Sequence, residues 1–567
     1  MLKKENIFKL PIEYLKNKKQ VSNDIKNDLE LVKTINQDSK PIYNYLFNPQ
    51  TELGKETIKK WSTNYTTNKL FLKQSQDLYQ KIDAIPFEKH IVENMFTSWR
   101  EINKQNNFEE KYQYLEWDKL KWLNYSTLFL TILSFYNISS PIINLVAPFF
   151  MLIVPFFVLK IMRLPINWET YSKILMENFK KHAFGKLIMS FNNVSMGQKV
   201  YILFCVGMYL YNIYQNIVSC YRFYLNSYYI VEKFELINHY LDYTIAKMDL
   251  FHSLTEKYSE YKQFNCEFME NRKKIKKFYD EIKKLPKNSD KINKIVYVGK
   301  IMKYFYTIYD SKEINELVEY SFGFHGYIDT LLGLNKNIVN KNVNRCKFTK
   351  NICLKFKNIY HPNIENPIKN NIDMKNNLII TGPNAAGKTT IIKSSIINLL
   401  FVQQVGFGFF DKASTSTFDF IHCYLNIPDS CSRDSLFQSE ARRCKNILDI
   451  IKNNPTKKHF CIFDELYSGT NPYEAISSAY AYLDLISKNK NVKFLLTTHF
   501  IRLCNLFKNN KKIKNKSMKT ILENYKAKYT YKIVNGISTI KGGVSVLKQL
   551  NYPESIIKKT TDILDKI

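Results

Sequence analysis

The sequence lacks any C-x-x-C pair. Its ten cysteines (Cys205, Cys220, Cys266, Cys346, Cys353, Cys423, Cys431, Cys444, Cys461, Cys504) are scattered, so zinc-site spacing is missing and free thiols in a reducing compartment are expected. Glycine and proline are scarce, 16 of each in 567 residues, which excludes collagen-like and proline-rich low-complexity chains. Residues 1–20 hold no continuous apolar run and no small-residue cleavage site, so a secretory signal is not expected. Acidic side chains are in deficit: 51 Asp+Glu against 83 Lys+Arg leave a formal charge of +32. That excess suits nucleic-acid phosphate or an anionic membrane face. Abundant Lys, Asn, Ile, Tyr and Phe also follow from AT-rich coding, so the placement of charge carries more than its sum. With 45% hydrophobic and 15% aromatic residues, the chain can bury cores for two to four folded units.

Charge vanishes altogether from Trp122 to Leu159, 38 residues bounded by Lys121 and Lys160. A helix of that length exceeds the roughly 20 residues needed to cross a bilayer, and Ser139, Ser140 and Pro141 interrupt its middle. The pattern predicts a hairpin of two short spans, or one tilted and broken helix, with Trp122 and Trp168 as interfacial anchors. A second uncharged stretch, 22 residues from Val200 to Tyr221, is long enough to span but carries Tyr209, Tyr211, Asn212, Tyr214, Gln215 and Asn216. Between the two, Lys160, Arg163, Lys173, Lys180, Lys181 and Lys186 outnumber Glu169 and Glu177, which places that segment on the cytosolic side. The expectation is a multi-pass membrane protein with its soluble parts in the cytosol. A buried helical hairpin in a soluble cytoplasmic or nuclear protein is the alternative.

Residues 1–121 and 223–345 read as helical, with apolar and charged residues at three- and four-residue spacing. After about Cys346, short β-branched runs separated by Gly, Asn and Pro signal an α/β domain. The resulting division is an N-terminal helical region (1–121), a hydrophobic membrane-inserted region (122–222), a second helical region (223–345) and an α/β domain (346–567).

The chemistry lies in that last domain. An apolar strand, NLIIT, runs into Gly382-Pro383-Asn384-Ala385-Ala386-Gly387-Lys388-Thr389, followed by Thr390 and an apolar helix. This is a full phosphate loop. Its glycines let backbone N–H groups curl around phosphate oxygens, Lys388 neutralises them, Thr389 offers a hydroxyl to Mg2+, and the helix points its positive end at the anion. A second apolar strand, FCIFDE, ends in Asp464, placed to hold hydrated Mg2+, and Glu465, placed to polarise an attacking water. A third, FLLTTH, ends at His499, a candidate γ-phosphate contact. Together they predict a Mg2+-dependent nucleotide hydrolase with a P-loop α/β fold.

From about residue 320 onward the sequence resembles the MutS family, the DNA mismatch repair ATPases and their relatives. The loop TGPNAAGKTT resembles that family's phosphate loop, with Ala385 and Ala386 in place of Met-Gly. Asp464-Glu465-Leu466-Tyr467-Ser468-Gly469-Thr470 and Thr497-Thr498-His499-Phe500 are similar to its D-E-L-x-x-G-T and T-H-[YF] segments. Tyr327-Ile328-Asp329-Thr330-Leu331-Leu332 resembles the end of its lever helix, and His361-Pro362 its H-P before the first ATPase strand. Ser435-Leu436-Phe437-Gln438-Ser439-Glu440 looks like its S-T-F-x-x-E signature, although Arg433 and Leu436 replace glycine and threonine. The resemblance implies a MutS/ABC-like ATPase fold preceded by lever helices. It also implies a homodimer in which Ser435 reaches the ATP of the partner subunit.

Two family features are missing. Nothing in residues 1–121 resembles the aromatic wedge of mismatch readers, and Phe268-Met269-Glu270, which superficially does, reads better as helix packing. No L-S-G-G-Q segment lies between Thr389 and Asp464, which disfavours an ABC-type transporter ATPase. Two roles are left: a membrane-attached switch in which the apolar stretches replace a DNA clamp, or a DNA-binding MutS ATPase. In the second, Lys508, Lys511, Lys512, Lys514, Lys516 and Lys519 or the basic helices touch backbone phosphates non-specifically.

Overall fold

The computed structural model describes residues 7–36, 38–105, 107–163, 167–181, 183–189, 191, 195–285, 291–425, 436–523, 526–538, 544, 547 and 550–564. Two compact units divide the chain, one of residues 1–90, 247–271 and 319–567, the other of residues 91–246 and 272–318. The N-terminal part is mainly helical and the C-terminal part mixed α/β, as the sequence predicts.

The second unit is helical. Its α1, Thr127–Ile161, begins at Ser126, whose hydroxyl accepts from Phe129 N and so satisfies one of the free N–H groups of the first turn. The expected break at Ser139-Ser140-Pro141 does not occur: α1 is continuous over 35 residues. Hydroxyls explain this. Pro141 has no N–H to give the Asn137 carbonyl, and Ser140 Oγ donates to that carbonyl instead, at 3.2 Å. Pro148 likewise strips the Asn144 carbonyl of its helical donor. The Tyr209 hydroxyl, from α2 (Met196–Thr255), donates to it at 3.0 Å.

The multi-pass expectation is cut back. Among the described residues one helix is long and apolar enough to cross a bilayer by length and composition, with Thr127–Ala147 as its span. The stretch from Val200 to Tyr221 lies inside the 60-residue α2, where its tyrosines, asparagines and glutamine lower the hydropathy. Both Trp122 and Trp168 are exposed.

In the first unit, α3 (Lys262–Ile282) carries Phe268 into a buried cluster with Phe251, Phe264 and Phe324, so that segment packs helices. α4 (Lys312–Val339) brings in Asp329. Its buried carboxylate accepts from Gln50 N, Thr51 N and Thr51 Oγ1, the last two at 2.8 and 2.7 Å. Burial raises the Asp329 pKa, and these hydrogen bonds oppose the rise.

A six-stranded sheet organises the rest. It is formed by β1 (Asn377–Thr381), β2 (Phe420–Tyr424), β3 (His459–Asp464), β4 (Val492–Thr498), β5 (Ile513–Glu523) and β6 (Lys526–Asn535) in the order β6-β5-β1-β4-β3-β2. All neighbours are parallel except β5 and β6. β1 is buried throughout, as expected for a central parallel strand covered on both faces. A smaller five-stranded sheet within residues 344–415 accompanies it.

The helix after β1, here αP (Lys388–Val405), is buried along most of its length and ends against the N-terminal segment. Gln404 Nε2 donates to the carbonyls of Trp61 and Asn64 at 2.8 and 2.9 Å, while its Oε1 accepts from the Tyr43 hydroxyl at 2.9 Å. Gln403 Nε2 donates to Phe418 O at 2.9 Å and Thr66 O at 3.3 Å, and Phe418 N donates back to its Oε1. Buried amides so satisfied fix one mutual geometry.

Candidate active site

Parallel pairing sets the site. Asp464 at the end of β3 lies opposite Thr497 on β4, and Thr498 lies opposite Thr381 at the end of β1. The carboxyl ends of three adjacent strands therefore meet at the phosphate loop, the usual ligand position in an open α/β sheet. Gly387 starts αP in the left-handed region, at φ +91°, with the Tyr531 ring 3.2 Å from where a Cβ would stand. A side chain there would meet both backbone strain and that ring.

Thr389 Oγ1 donates to Asp464 Oδ2 at 2.9 Å, and Thr497 Oγ1 donates to the other carboxylate oxygen. A hydroxyl and a carboxylate in contact beside a phosphate loop are hard oxygen donors of the kind Mg2+ takes, so the residues fit that ion. Lys388 Nζ is held by the carbonyls of Gly382 and Pro383 at 3.0 and 3.2 Å. Burial lowers the Lys388 pKa, opposed by the charges of Glu465 and Asp464.

Glu465 sits at φ +51°, a strained conformation for a residue with a side chain. Its backbone N–H donates to Thr497 O at 3.0 Å, and its Oε1 lies 2.7 Å from His499 Nε2. The hydrogen bond from His499, then the charges of His499 and Lys388, hold the Glu465 carboxyl below the usual carboxylate range against the effect of burial. His499 Nε2 also lies 3.0 Å from Lys388 Nζ. One ring nitrogen cannot donate to Glu465 while accepting from Lys388, so the position of one proton selects between the two contacts.

The structure thus brings together Lys388, Thr389, Asp464, Glu465 and His499. Asn384, Ala385, Gly387, Lys388, Thr389, Thr390 and Glu465 line a cavity of about 540 Å3. Ser435 lies outside the described residues. Glu440, which closes the same sequence segment, lies on α5 (Leu436–Asn453) and is buried. Its carboxylate accepts from Ser468 N, Ser468 Oγ and Gly469 N at 3.0–3.1 Å. This ties α5 to the loop after Asp464-Glu465. A Cβ on Gly469 would lie 2.7 Å from Leu436 Cγ and 2.9 Å from Phe437 N, so the close approach requires glycine.

The far end of the cavity was not foreseen. Ile364, Pro367, Ile368, Met518 and Tyr531 give it an apolar wall suited to a flat base. Asn370 links this wall to the sheet, donating to Tyr531 O at 2.9 Å and accepting from Ile533 N at 2.8 Å. Isolated apolar residues in loops and edge strands carry no periodic signal, and only pairing across the chain assembles them. His361 also lines the cavity; burial, with the nearby Lys393 charge, pushes its pKa down to about 4, so it is neutral.

The part of the chain that carries this site is similar to known proteins. Residues 378–567 match the family model MutS domain V. The chain is 30% identical over 247 residues to the DNA mismatch repair protein MutS of Persephonella marina, covering 42% of this chain and 28% of that protein. It is 28% identical over 269 residues to the protein of the same name from Methanosarcina mazei, covering 45% and 29%. To Endonuclease MutS2 of Streptococcus uberis it is 27% identical over 244 residues, covering 42% and 31%. The chain spans less than a third of the length of these relatives.

Proposed function

Since the chain belongs to the MutS family through its C-terminal domain, we propose that it is a Mg2+-dependent ATPase that works as a homodimer and engages DNA according to its nucleotide state. One observation carries the ATPase reading: Thr389, Asp464, Lys388, Glu465 and His499 converge at one end of the sheet. Bound Mg2+ supplies charge neutralisation for the phosphates. Lys388 exchanges the Gly382 and Pro383 carbonyls for phosphate oxygens. Glu465, kept ionised by His499 and Lys388, accepts the proton of the attacking water. His499 orients that carboxylate and takes up the Lys388 contact when its proton moves. Ser435 acts in trans on the partner's nucleotide, with Glu440 fixing the helix that follows it.

Glu465→Gln is expected to keep ATP affinity and lose hydrolysis by more than about 100-fold, as loss of a general base does, whereas Lys388→Ala loses binding. Turnover of Glu465→Gln at the wild-type rate, measured by phosphate release, refutes the assignment. DNA is the favoured partner because the relatives are mismatch repair proteins and Lys508, Lys511, Lys512, Lys514 and Lys519 are exposed. Contact of this kind is to backbone phosphate, so affinity falls steeply with salt.

A second reading is favoured by a different observation. α1 and the adjoining half of α2 expose Leu128, Phe135, Phe157, Ile161, Tyr201, Phe204 and many neighbours to an extent rare in monomeric soluble proteins. In this reading the pair lies in a bilayer and ATP-driven closure acts on membrane-attached helices. Release of the tagged protein from membranes by alkaline carbonate excludes it.

A further inference from the structure

A second cavity, about 300 Å3, adjoins the first and shares His361, Ile364, Thr389 and Thr390 with it. Its remaining wall comes from Leu29, Glu30, Lys40, Ile42, Asn363 and Lys393. Four of these belong to the N-terminal segment, more than 300 residues away from the phosphate loop in sequence. Lys393 is one turn beyond Thr390 on αP and half-buried.

The charges on this wall are not held in close ion pairs. Among the described residues neither Lys40, Lys393 nor Glu30 makes an ion pair or a side-chain hydrogen bond. Lys40 and Lys393 line the recess with one carboxylate, Glu30; the Asp28 carboxylate also interacts with the Lys393 charge, and His361 adds no charge because burial keeps it neutral. The Lys393 charge is felt by both His361 and Asp28. The backbone is held in place: Ile42 N donates to Glu30 O at 3.1 Å and Tyr43 N to Leu31 O at 3.2 Å, fixing the ends of the segment that carries Lys40. A roomy, cationic recess that opens onto a phosphate loop calls for an anion.

We propose that this recess is a second anion subsite, in which Lys393 and Lys40 take a phosphate group on the Thr390 side of the nucleotide pocket. The chemistry is that of a tetrahedral phosphate, and it has two sources. It is borne by the bound nucleotide itself, or it is a free phosphate that binds beside the nucleotide and tightens it. The site makes the N-terminal segment part of the ligand-binding surface. It rests on the nucleotide reading for the identity of the adjoining pocket.

The test uses the full chain and its Lys393→Met and Lys40→Met variants, with calorimetric titration of ATP, AMP and adenosine, each with and without 10 mM inorganic phosphate (about the millimolar range at which weak phosphate sites fill). If the nucleotide supplies the phosphate, Lys393→Met weakens ATP and AMP by about tenfold and leaves adenosine unchanged. If the phosphate is free, added phosphate tightens adenosine and AMP in the wild type and fails to do so in the variants. Equal affinities across all three proteins, with no phosphate dependence and unchanged thermal midpoints, overturn the subsite while leaving the ATPase reading intact. Absence of ATP binding by the folded wild type defeats the nucleotide reading itself.

Discussion

β3 and α1 are both apolar and free of charge along most of their length, yet they meet opposite fates. Phe460, Cys461, Ile462 and Phe463 of β3 are fully covered by neighbouring strands and helices, whereas Leu128 of α1 is 72% exposed and Phe135 54%. The difference teaches that an apolar run states a demand for cover and does not name the cover. In the α/β unit the chain meets that demand itself; along α1 much of it is unmet.

The sharpest way to break this contrast is by truncation. Phe463 packs against Tyr424, Tyr482 and Phe494, so Phe463→Ala is expected to cost about 3–5 kcal/mol by cavity formation. Phe135→Ala is expected to stay within about 0.5 kcal/mol, as at other exposed sites. Urea denaturation followed by circular dichroism measures both, and a large loss at Phe135 would mean that something covers α1 in solution. A smaller effect sharpens the α/β side: Gly469→Ala forces Leu436 and the Phe437 backbone apart and is expected to cost about 1–3 kcal/mol, read from the thermal midpoint.

Proton linkage gives a graded effect. Burial pushes the His422 pKa down to about 3, and His459, whose Nδ1 lies 3.1 Å from His422 Nε2, is also lowered by burial. An imidazole that titrates near 6.5 when unfolded and near 3 when folded contributes its full stability above about pH 6.5. That contribution is lost as pH falls, because the unfolded chain binds the proton first. Denaturation midpoints should therefore decline from pH 7 to pH 5, and His422→Phe should flatten the slope; an unchanged slope would show that His422 is not held neutral.

Much of the site was legible because its chemistry is local in sequence. A phosphate loop, a strand ending in two carboxylates and a strand ending in histidine each carry a signature within ten residues. What could not be read was set by distant partners. Nothing near Glu465 announces its positive φ, nothing in Asn370 or Tyr531 announces the apolar wall, and Lys40 is far from Thr390 in the chain. The same holds for the fold: a Ser-Ser-Pro sequence reads as a break, yet Ser140 and Tyr209 supply the donors that Pro141 and Pro148 withhold, and α1 continues.

Gln403 and Gln404 have a practical corollary. Cutting the chain down to the stretch that matches its relatives would leave two carboxamides facing a newly opened surface, without the Trp61, Asn64 and Thr66 carbonyls they now serve. Each lost hydrogen bond costs about 0.5–1.5 kcal/mol net, because water takes the vacated place. The smallest portable unit of this protein is therefore larger than the segment its relatives would suggest, and a fragment trimmed at the start of the match is a poor surrogate for the full chain.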